Sequence, residues 1–259
     1  MAFSLADKWV LITGASSGFG AAAAAAFGAL GCQLLLGARR LDRLEAAAAA
    51  ARQAGARQAL VHELDVTKTA SVQEFVQWAR TKTSAVDVLI NNAGGAHGLE
   101  PVATGRDEDW EAMLQTNVLG LLRVTRAVLP MIPKDAGSSI LNIGSIAGRF
   151  AYEGGAVYCA AKAGELKITQ ALRLELNGTG IRISSIDPGM ARTEFGLVRF
   201  KGDQDRADKV YEGVHPLAAE DVAGALVWAA TRPPHMNIDE MVIKPVDQAA
   251  IYKVFRRTQ

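Results

Sequence analysis

The sequence predicts an α/β fold: one parallel, doubly wound sheet of about seven strands with helices on both faces. Three observations predict it. Short apolar, β-rich runs alternate with longer helical stretches from residue 9 to residue 244, the pattern of repeated βα units. No linker or internal repeat interrupts the alternation, so residues 1–259 read as a single domain. With 49% hydrophobic and 21% charged residues, a chain of this length has enough apolar side chains for one sizeable core.

Trp9-Val10-Leu11-Ile12-Thr13 is the first buried strand. It runs directly into Gly14-Ala15-Ser16-Ser17-Gly18-Phe19-Gly20 and then into six alanines, Ala21 to Ala26. Strand, glycine loop and helix are the context a phosphate-cradling turn needs. Glycine lets the backbone approach a pyrophosphate, and the helix N-terminus offers free N–H groups and a positive dipole end. The spacing is Gly-x3-Gly-x-Gly, not the common Gly-x-Gly-x2-Gly, so the alternative is a glycine-rich turn without a ligand. The flanking strand and alanine helix favour the nucleotide.

Gln33 to Ala38 is the second strand, followed by Arg39-Arg40. An acidic residue at this junction would bind the ribose hydroxyls of NAD, whereas arginine accommodates the 2′-phosphate of NADP. Losing the acid and gaining two guanidinium groups together point to NADP. A helix follows from Leu41 to Ala54, then a strand from Ala59 to Leu64 ending at Asp65-Val66, then a helix from Ser71 to Arg80. Asp65 either caps this connection or faces an adenine ring; the sequence leaves both open.

Val86 to Ile90 is the fourth strand, leading into Asn91-Asn92-Ala93-Gly94-Gly95, a loop suited to the ligand-binding end of the sheet. Trp110 to Ile132 is expected as one long helix, with Asn117 inside it as either a satisfied core amide or the organiser of a site. Ile140 to Ile143 is the fifth strand, ending in Gly144-Ser145. The helix from Val157 to Leu176 then carries Tyr158 and Lys162, and Ile181 to Ile186 is the sixth strand, before Asp187-Pro188-Gly189. Residues 192–216 are polar, mixed and long, as a segment that covers substrate would be. A helix from Asp221 to Ala230, a last strand from Met241 to Lys244 and an extended tail complete the chain.

Tyr158 and Lys162, four residues apart, share one helix face. A phenol is a poor acid or base near neutral pH unless its anion is stabilised, and an ammonium one turn away does that by charge attraction. By itself such a pair also arises on solvated helix faces. The formal net charge of +1 argues against a nucleic-acid surface or a membrane-attracted face. Two cysteines, Cys32 and Cys159, suggest neither a disulfide framework nor a zinc site, which favours a reducing compartment. Residues 1–8 lack the pattern of a secretory signal, and the apolar stretch from Val118 to Ile132 is broken by Arg123 and Arg126. A cytoplasmic location without membrane contact is expected.

Thr13-Gly14-x3-Gly18-x-Gly20, Asn91-Asn92-Ala93-Gly94, Ser145, Tyr158-x3-Lys162 and Pro188-Gly189 occur in this order. Together they resemble the short-chain dehydrogenase/reductase family over essentially the whole chain. The resemblance implies a Rossmann-like single domain, NADP as cofactor, no metal, and a homotetramer or homodimer. It implies Tyr158 as general acid/base, Ser145 as carbonyl polariser and Lys162 as ribose ligand and stabiliser of the tyrosinate. Asn117 would hold a proton-relay water. The implied cofactor ligands are Gly14, Ser16, Ser17, Gly18, Phe19, Gly20, Arg39, Arg40, Asp65 and Val66. Asn92, Ala93, Gly94, Tyr158, Lys162, Pro188, Gly189 and Thr193 complete that set.

A narrower likeness follows. Thr193-Glu194-Phe195 and then Val198-Arg199-Phe200-Lys201-Gly202-Asp203 resemble the NADP-dependent 3-hydroxy acid dehydrogenases, with serine, L-allo-threonine and malonic semialdehyde activities. The resemblance implies hydride transfer between the nicotinamide and a small hydroxy or carbonyl compound, a 3-hydroxy acid or semialdehyde. The alternative is a reductase of sulfoacetaldehyde or an uncharged ketone; a non-catalytic NADP-binding protein would not need all of Asn117, Ser145, Tyr158 and Lys162. Arg149, Arg199 and Lys201 are the candidates for holding a substrate anion, since a guanidinium near a covering loop suits a carboxylate or sulfonate.

Overall fold

The computed structural model describes residues 3–135 and 137–257. Seven strands form one parallel sheet: β1 (Trp9–Thr13), β2 (Gln33–Ala38), β3 (Gln58–Glu63), β4 (Val88–Asn91), β5 (Ser139–Ile143), β6 (Arg182–Pro188) and β7 (Glu240–Ile243). Their order across the sheet is β3-β2-β1-β4-β5-β6-β7. The chain first builds outward from β1 to β3, then returns past β1 and builds the other way. The crevice between the carboxyl ends of β1 and β4 is therefore the topological switch point, where such sheets bind ligands.

The helices are α1 (Gly18–Gly28), α2 (Leu41–Ala54), α3 (Thr69–Arg80), α4 (Asp107–Met113), α5 (Leu121–Val128), α6 (Ala156–Glu175), α7 (Phe195–Arg199), α8 (Gln204–Lys209) and α9 (Ala219–Ala230). They cover both faces of the sheet, so the central strands β1, β2 and β4 are largely buried and apolar, while β6 also buries Arg182, Ser184, Ser185 and Asp187. Successive side chains of a strand point to opposite faces. Val10, Ile12, Leu34, Leu36, Val88 and Ile90 accordingly pack with Ala23, Ala24 and Phe27 of α1, Leu44 of α2 and Leu226 of α9. Leu11, Leu35, Leu89 and Ile140 pack on the other face with Phe75 of α3, Val124 and Val128 of α5 and Leu172 of α6. Each such buried aliphatic side chain stabilises the fold by about 1.5–3 kcal/mol before entropy is subtracted.

Two elements differ from the sequence expectation. The helix expected over residues 110–132 is divided: a π-helical stretch, Leu114–Gly120, separates α4 from α5, and a 3-10 turn, Leu129–Met131, ends it. Asn117 lies inside the π-helical stretch and its Nδ2 donates to the Met113 carbonyl at 2.7 Å, so a side chain takes part in the local hydrogen bonding. Residues 192–216 contain two short helices, α7 and α8. The tail is not extended: Gln248–Ala250 and Lys253–Val254 form a short antiparallel pair, and Arg257 is tied to Asp247. Among the described residues no helix is long and apolar enough to cross a membrane.

Candidate active site

The glycine loop leaves β1 at the switch point and is fixed there by its neighbours. Asn92, after β4, donates from Nδ2 to the carbonyls of Thr13 (2.8 Å) and Gly14 (3.1 Å). The backbone N–H groups of Asn92 and Ala93 both donate to Thr13 Oγ1 at 3.0 Å. Ser17 caps α1 in extended backbone conformation without a side-chain cap hydrogen bond. Its hydroxyl instead accepts from Arg40 Nη2 at 2.9 Å. Gly20 is required by close approach: a Cβ there would collide with the Gly14 carbonyl.

A cavity of about 320 Å³ opens above this loop. Gly14, Ser16, Ser17, Gly18 and Phe19 line one wall, and Arg39, Arg40, Asp65 and Val66 line the adjoining end. Asn92, Ala93, Gly94, Tyr158, Lys162 and Thr193 close the rest. Gly20 does not reach the cavity; it packs behind the loop. Both readings of Asp65 have support. Its Oδ1 accepts from the Thr67 backbone (3.0 Å) and hydroxyl (2.7 Å), yet the residue also lines the cavity. Burial opposes its ionisation, but the Thr67 hydrogen bonds and the charges of Arg39 and Lys68 hold its carboxyl below the ordinary range.

The guanidinium groups meet at the carboxyl end of β2. Arg40 donates from Nη1 and Nη2 to Glu194 Oε2, at 3.1 Å each, and Arg43 bonds the other oxygen of Glu194. Burial works against the Glu194 charge, but the hydrogen bonds from Arg40 and Arg43 outweigh it and keep its carboxyl below the ordinary range. The donor set fits a dinucleotide carrying an extra phosphate: an uncapped helix start for the pyrophosphate, and a cationic cluster beside the second strand for the 2′ position. Sequence reasoning missed Arg43 and Glu194. Arg43 had a legible signal, since it follows Arg40 by three residues on α2 and shares its face.

Tyr158 lies in the first turn of α6, 8% exposed, and Lys162 follows one turn later, 5% exposed. Lys162 Nζ lies 5.9 Å from the Tyr158 ring centroid and donates to the Ile143 carbonyl at 3.0 Å. Asn117 is fully buried; its Nδ2 donates to the Gly95 carbonyl (2.9 Å) and its Oδ1 accepts from the Gly95 N–H (3.1 Å). A Cβ on Gly94 would lie 2.7 Å from Asn117 Oδ1 and 3.5 Å from Lys162 Nζ, so only glycine lets these groups face one another. Ser145 follows β5, and its hydroxyl accepts from the Ala147 N–H at 3.1 Å.

Ser145 and Tyr158 share a second cavity of about 270 Å³; Phe19, Tyr158, Thr193 and Phe195 line both cavities, whereas Pro188 and Gly189 line only the second. Tyr152, Arg199, Tyr211, Gln248 and Ile251 also line the second, so α7 and the tail both contribute walls. The Arg199 guanidinium lies 5.1 Å from the Tyr158 ring, 5.3 Å from Phe195 and 5.5 Å from Tyr152, and it bonds the Tyr152 hydroxyl. Its buried Nε has no hydrogen-bond partner among the described residues. Burial pushes the Tyr152 hydroxyl up to about 12 despite Arg199, so it stays neutral.

The other two candidate cations stand elsewhere. Arg149 turns under the sheet edge and donates to Asp187 (2.5 and 3.0 Å) and Glu240 (2.5 Å). Lys201 bonds Asp109 at 2.7 Å and is half exposed. Neither lines the cavity beside Tyr158. Both were read from type and sequence position, and each found an acidic partner that the sequence placed far away. Tyr152 carried no sequence signal. Glu165 did: it follows Lys162 by three residues on the same face, and its Oε2 lies 2.6 Å from Lys162 Nζ.

Comparison with known proteins gives the same grouping. A family model described as short chain dehydrogenase matches residues 8–202. The chain is 44% identical over 243 residues to sulfoacetaldehyde reductase 2 of Chromohalobacter salexigens, covering 93% of this chain and 95% of that protein. It is 42% identical over 242 residues to an NADP-dependent 3-hydroxy acid dehydrogenase of Salmonella typhi, covering 93% and 96%. The closed form of a serine dehydrogenase complexed with NADP+ superposes with a TM-score of 0.88 at 38% identity, over 96% of this chain and 100% of that one. The seven-stranded sheet, the family match and full-length relatives at this identity mean that the chain belongs to the short-chain dehydrogenase family.

Proposed function

We propose that the protein is an NADP-dependent oxidoreductase that interconverts a small hydroxy acid and its carbonyl counterpart. A 3-hydroxy acid and its semialdehyde fit best. One observation carries the substrate class: among the described residues Arg199 is the cation that lines the cavity shared by Ser145 and Tyr158. The names of the relatives support the same class, since they act on 3-hydroxy acids or on sulfoacetaldehyde. All of these compounds join a reacting carbonyl or alcohol to an anion a short distance away.

In this reading the bound nicotinamide supplies or accepts the hydride. Tyr158 donates the proton to the carbonyl oxygen in reduction and removes it in oxidation. Ser145 hydrogen-bonds the same oxygen as charge builds on it, where a preorganised donor lowers the barrier most. Lys162 stabilises the tyrosinate and holds the ribose, while Asn117 keeps the Gly94–Gly95 loop in place and carries the relay water. Arg199 fixes the substrate anion, with Tyr152 bracing the guanidinium, so that the reacting carbon is presented in one orientation. Arg39, Arg40 and Arg43 select the 2′-phosphate. The whole chain acts as one domain, with residues 192–216 closing over the nicotinamide end.

A soluble cytoplasmic homotetramer completes the proposal. Large apolar side chains stand exposed at several places, among them Trp228 on α9, Val242 on β7, Leu122 on α5 and Leu174 on α6. A tetramer of two-fold axes needs more than one apolar face on each protomer, whereas a dimer needs one. Light scattering on the eluting protein reads the mass directly. The activity is tested by following NADPH oxidation with a carboxylate- or sulfonate-bearing aldehyde and with an uncharged aldehyde of equal size. Preference for the uncharged compound, or for NADH, would overturn the proposal.

A further inference from the structure

Glu165 is a buried ionisable group for which the mechanism above has no use. It and Lys162 lie within one turn of α6, both about 5% exposed, with 2.6 Å between Oε2 and Nζ. The site needs the Lys162 charge, because that charge favours the tyrosinate. A carboxylate at this distance cancels much of that charge as seen from Tyr158, whose ring centroid is 5.9 Å from Nζ.

The other charged groups around the pair are accounted for. On β6, Asp187 repels Glu165, but it is held by Arg149 and by the Ser185 hydroxyl (2.5 Å). Glu240 of β7 shares Arg149. On α6, Thr169 donates to the Glu165 backbone carbonyl at 2.8 Å and adds no charge, and Cys159 is buried against the Phe150 carbonyl. From α7, the Arg199 guanidinium lies 5.1 Å from the Tyr158 ring centroid with Tyr152 bound to it. Among the described residues Lys162 is the one cation within ion-pair distance of Glu165.

We propose that Glu165 is a positioning residue that attenuates the Lys162 charge acting on Tyr158 and thereby sets the pH at which the proton-transfer step changes direction. This rests on the reading of Tyr158 and Lys162 given above. Burial pushes the Glu165 carboxyl up to about 7, against the opposing pull of Lys162. Its charge therefore changes in the neutral range. With Glu165 ionised the tyrosinate is less favoured, and reduction, which needs the phenol proton, persists to higher pH. With a neutral residue in its place the tyrosinate forms earlier, and oxidation gains at lower pH.

The test compares the parent with Glu165→Gln and Glu165→Asp, using kcat/KM against pH in both directions. A second readout is the phenolate absorbance of the free protein, as the difference between each variant and the same variant carrying Tyr158→Phe. Glu165→Gln is expected to move the tyrosinate limb about one unit to lower pH in both readouts, about tenfold in oxidation rate at a fixed pH on that limb. Glu165→Asp, which keeps the charge, is expected to return the limb toward the parent position. A limb that stays in place overturns the proposal. So does a limb that moves to higher pH, since Glu165 would then serve to keep Lys162 protonated. If Glu165→Gln does not fold, Glu165→Met removes the charge at similar volume and is read in the same way. A parent protein without turnover would overturn the functional reading, while the free-protein titration would still decide the role of Glu165.

Discussion

Replacing Arg199 by glutamine separates an anion anchor from a mere packing residue. The guanidinium does two things in the structure. It stacks near three rings, Tyr158, Phe195 and Tyr152, at 5.1–5.5 Å, and it presents donors to the cavity that holds Ser145. Each exposed-type stack contributes about 0.5–1 kcal/mol. Losing the stacks loosens α7 for every substrate alike. A charge-assisted hydrogen bond to a carboxylate or sulfonate contributes about 1.5–3 kcal/mol, and only an anionic substrate forms it. The ratio of kcat/KM for an anionic aldehyde to that for an uncharged one of equal size cancels the shared loss. That ratio should fall by roughly 10- to 150-fold in Arg199→Gln. Lys201→Gln is the internal control, because Lys201 pairs with Asp109 outside the cavity and half exposed, where an ion pair contributes about 0–1 kcal/mol. Its ratio should stay within about twofold of the parent. Equal losses for both substrates in Arg199→Gln, or a collapse of the ratio in Lys201→Gln, would refute the reasoning.

Other outcomes follow from the same geometry. Tyr158→Phe should lower kcat by about 10²–10⁴ while NADPH still binds, measured by fluorescence titration; Lys162→Ala should damage both. Arg40→Ala should cost NADPH about 1.5–3 kcal/mol relative to NADH, seen as a shift in the ratio of their KM values. Glu194→Gln should tighten NADPH binding, because the 2′-phosphate then no longer competes with a carboxylate for Arg40 and Arg43. Glu165 also predicts a slope in stability. Its folded-state value, about 7, lies above the ordinary 4.5, so between the two the folded protein holds a proton that the unfolded chain has released. Stability from this group therefore falls as pH rises from 4.5 to about 7, and chemical denaturation of Glu165→Gln should show that slope flattened.

The sheet and most of the cofactor wall were legible because their signals are local. Trp9 to Thr13 followed by glycines and alanines states strand, turn and helix within 18 residues, Trp9 to Ala26. The second strand likewise carries its arginines immediately after it. Contacts between distant segments were not legible. Arg199 and Lys201 lie in the covering segment and Arg149 between Ser145 and Tyr158, but Asp187, Tyr152 and Asp109 decide where each cation points. Asn117 showed the same limit. Its low helix propensity marked it as unusual, yet the π-helical stretch around it also depends on Gly95, 22 residues away. Glu165 was a different case, since its spacing from Lys162 put both on one face; only burial made the pairing consequential.

The arrangement of parallel strands explains why cofactor choice and substrate choice are separable here, and where they meet. All seven strands point the same way, so the segments leaving β1, β2 and β3 form one end of the crevice and those leaving β5 and β6 form the other. Ser16, Ser17 and Arg40 thus sit at the phosphate end, and Ser145, Tyr158 and Thr193 at the reacting end. Arg40 does not line the second cavity and Arg199 does not line the first, although Phe19, Tyr158, Thr193 and Phe195 line both. Glu194 links the two ends in another way. It leads directly into α7, which carries Arg199, and its carboxylate is held by Arg40 and Arg43. A 2′-phosphate entering the cationic cluster would share or displace that carboxylate, and any displacement would act on the residue that leads into α7, the wall that carries Arg199.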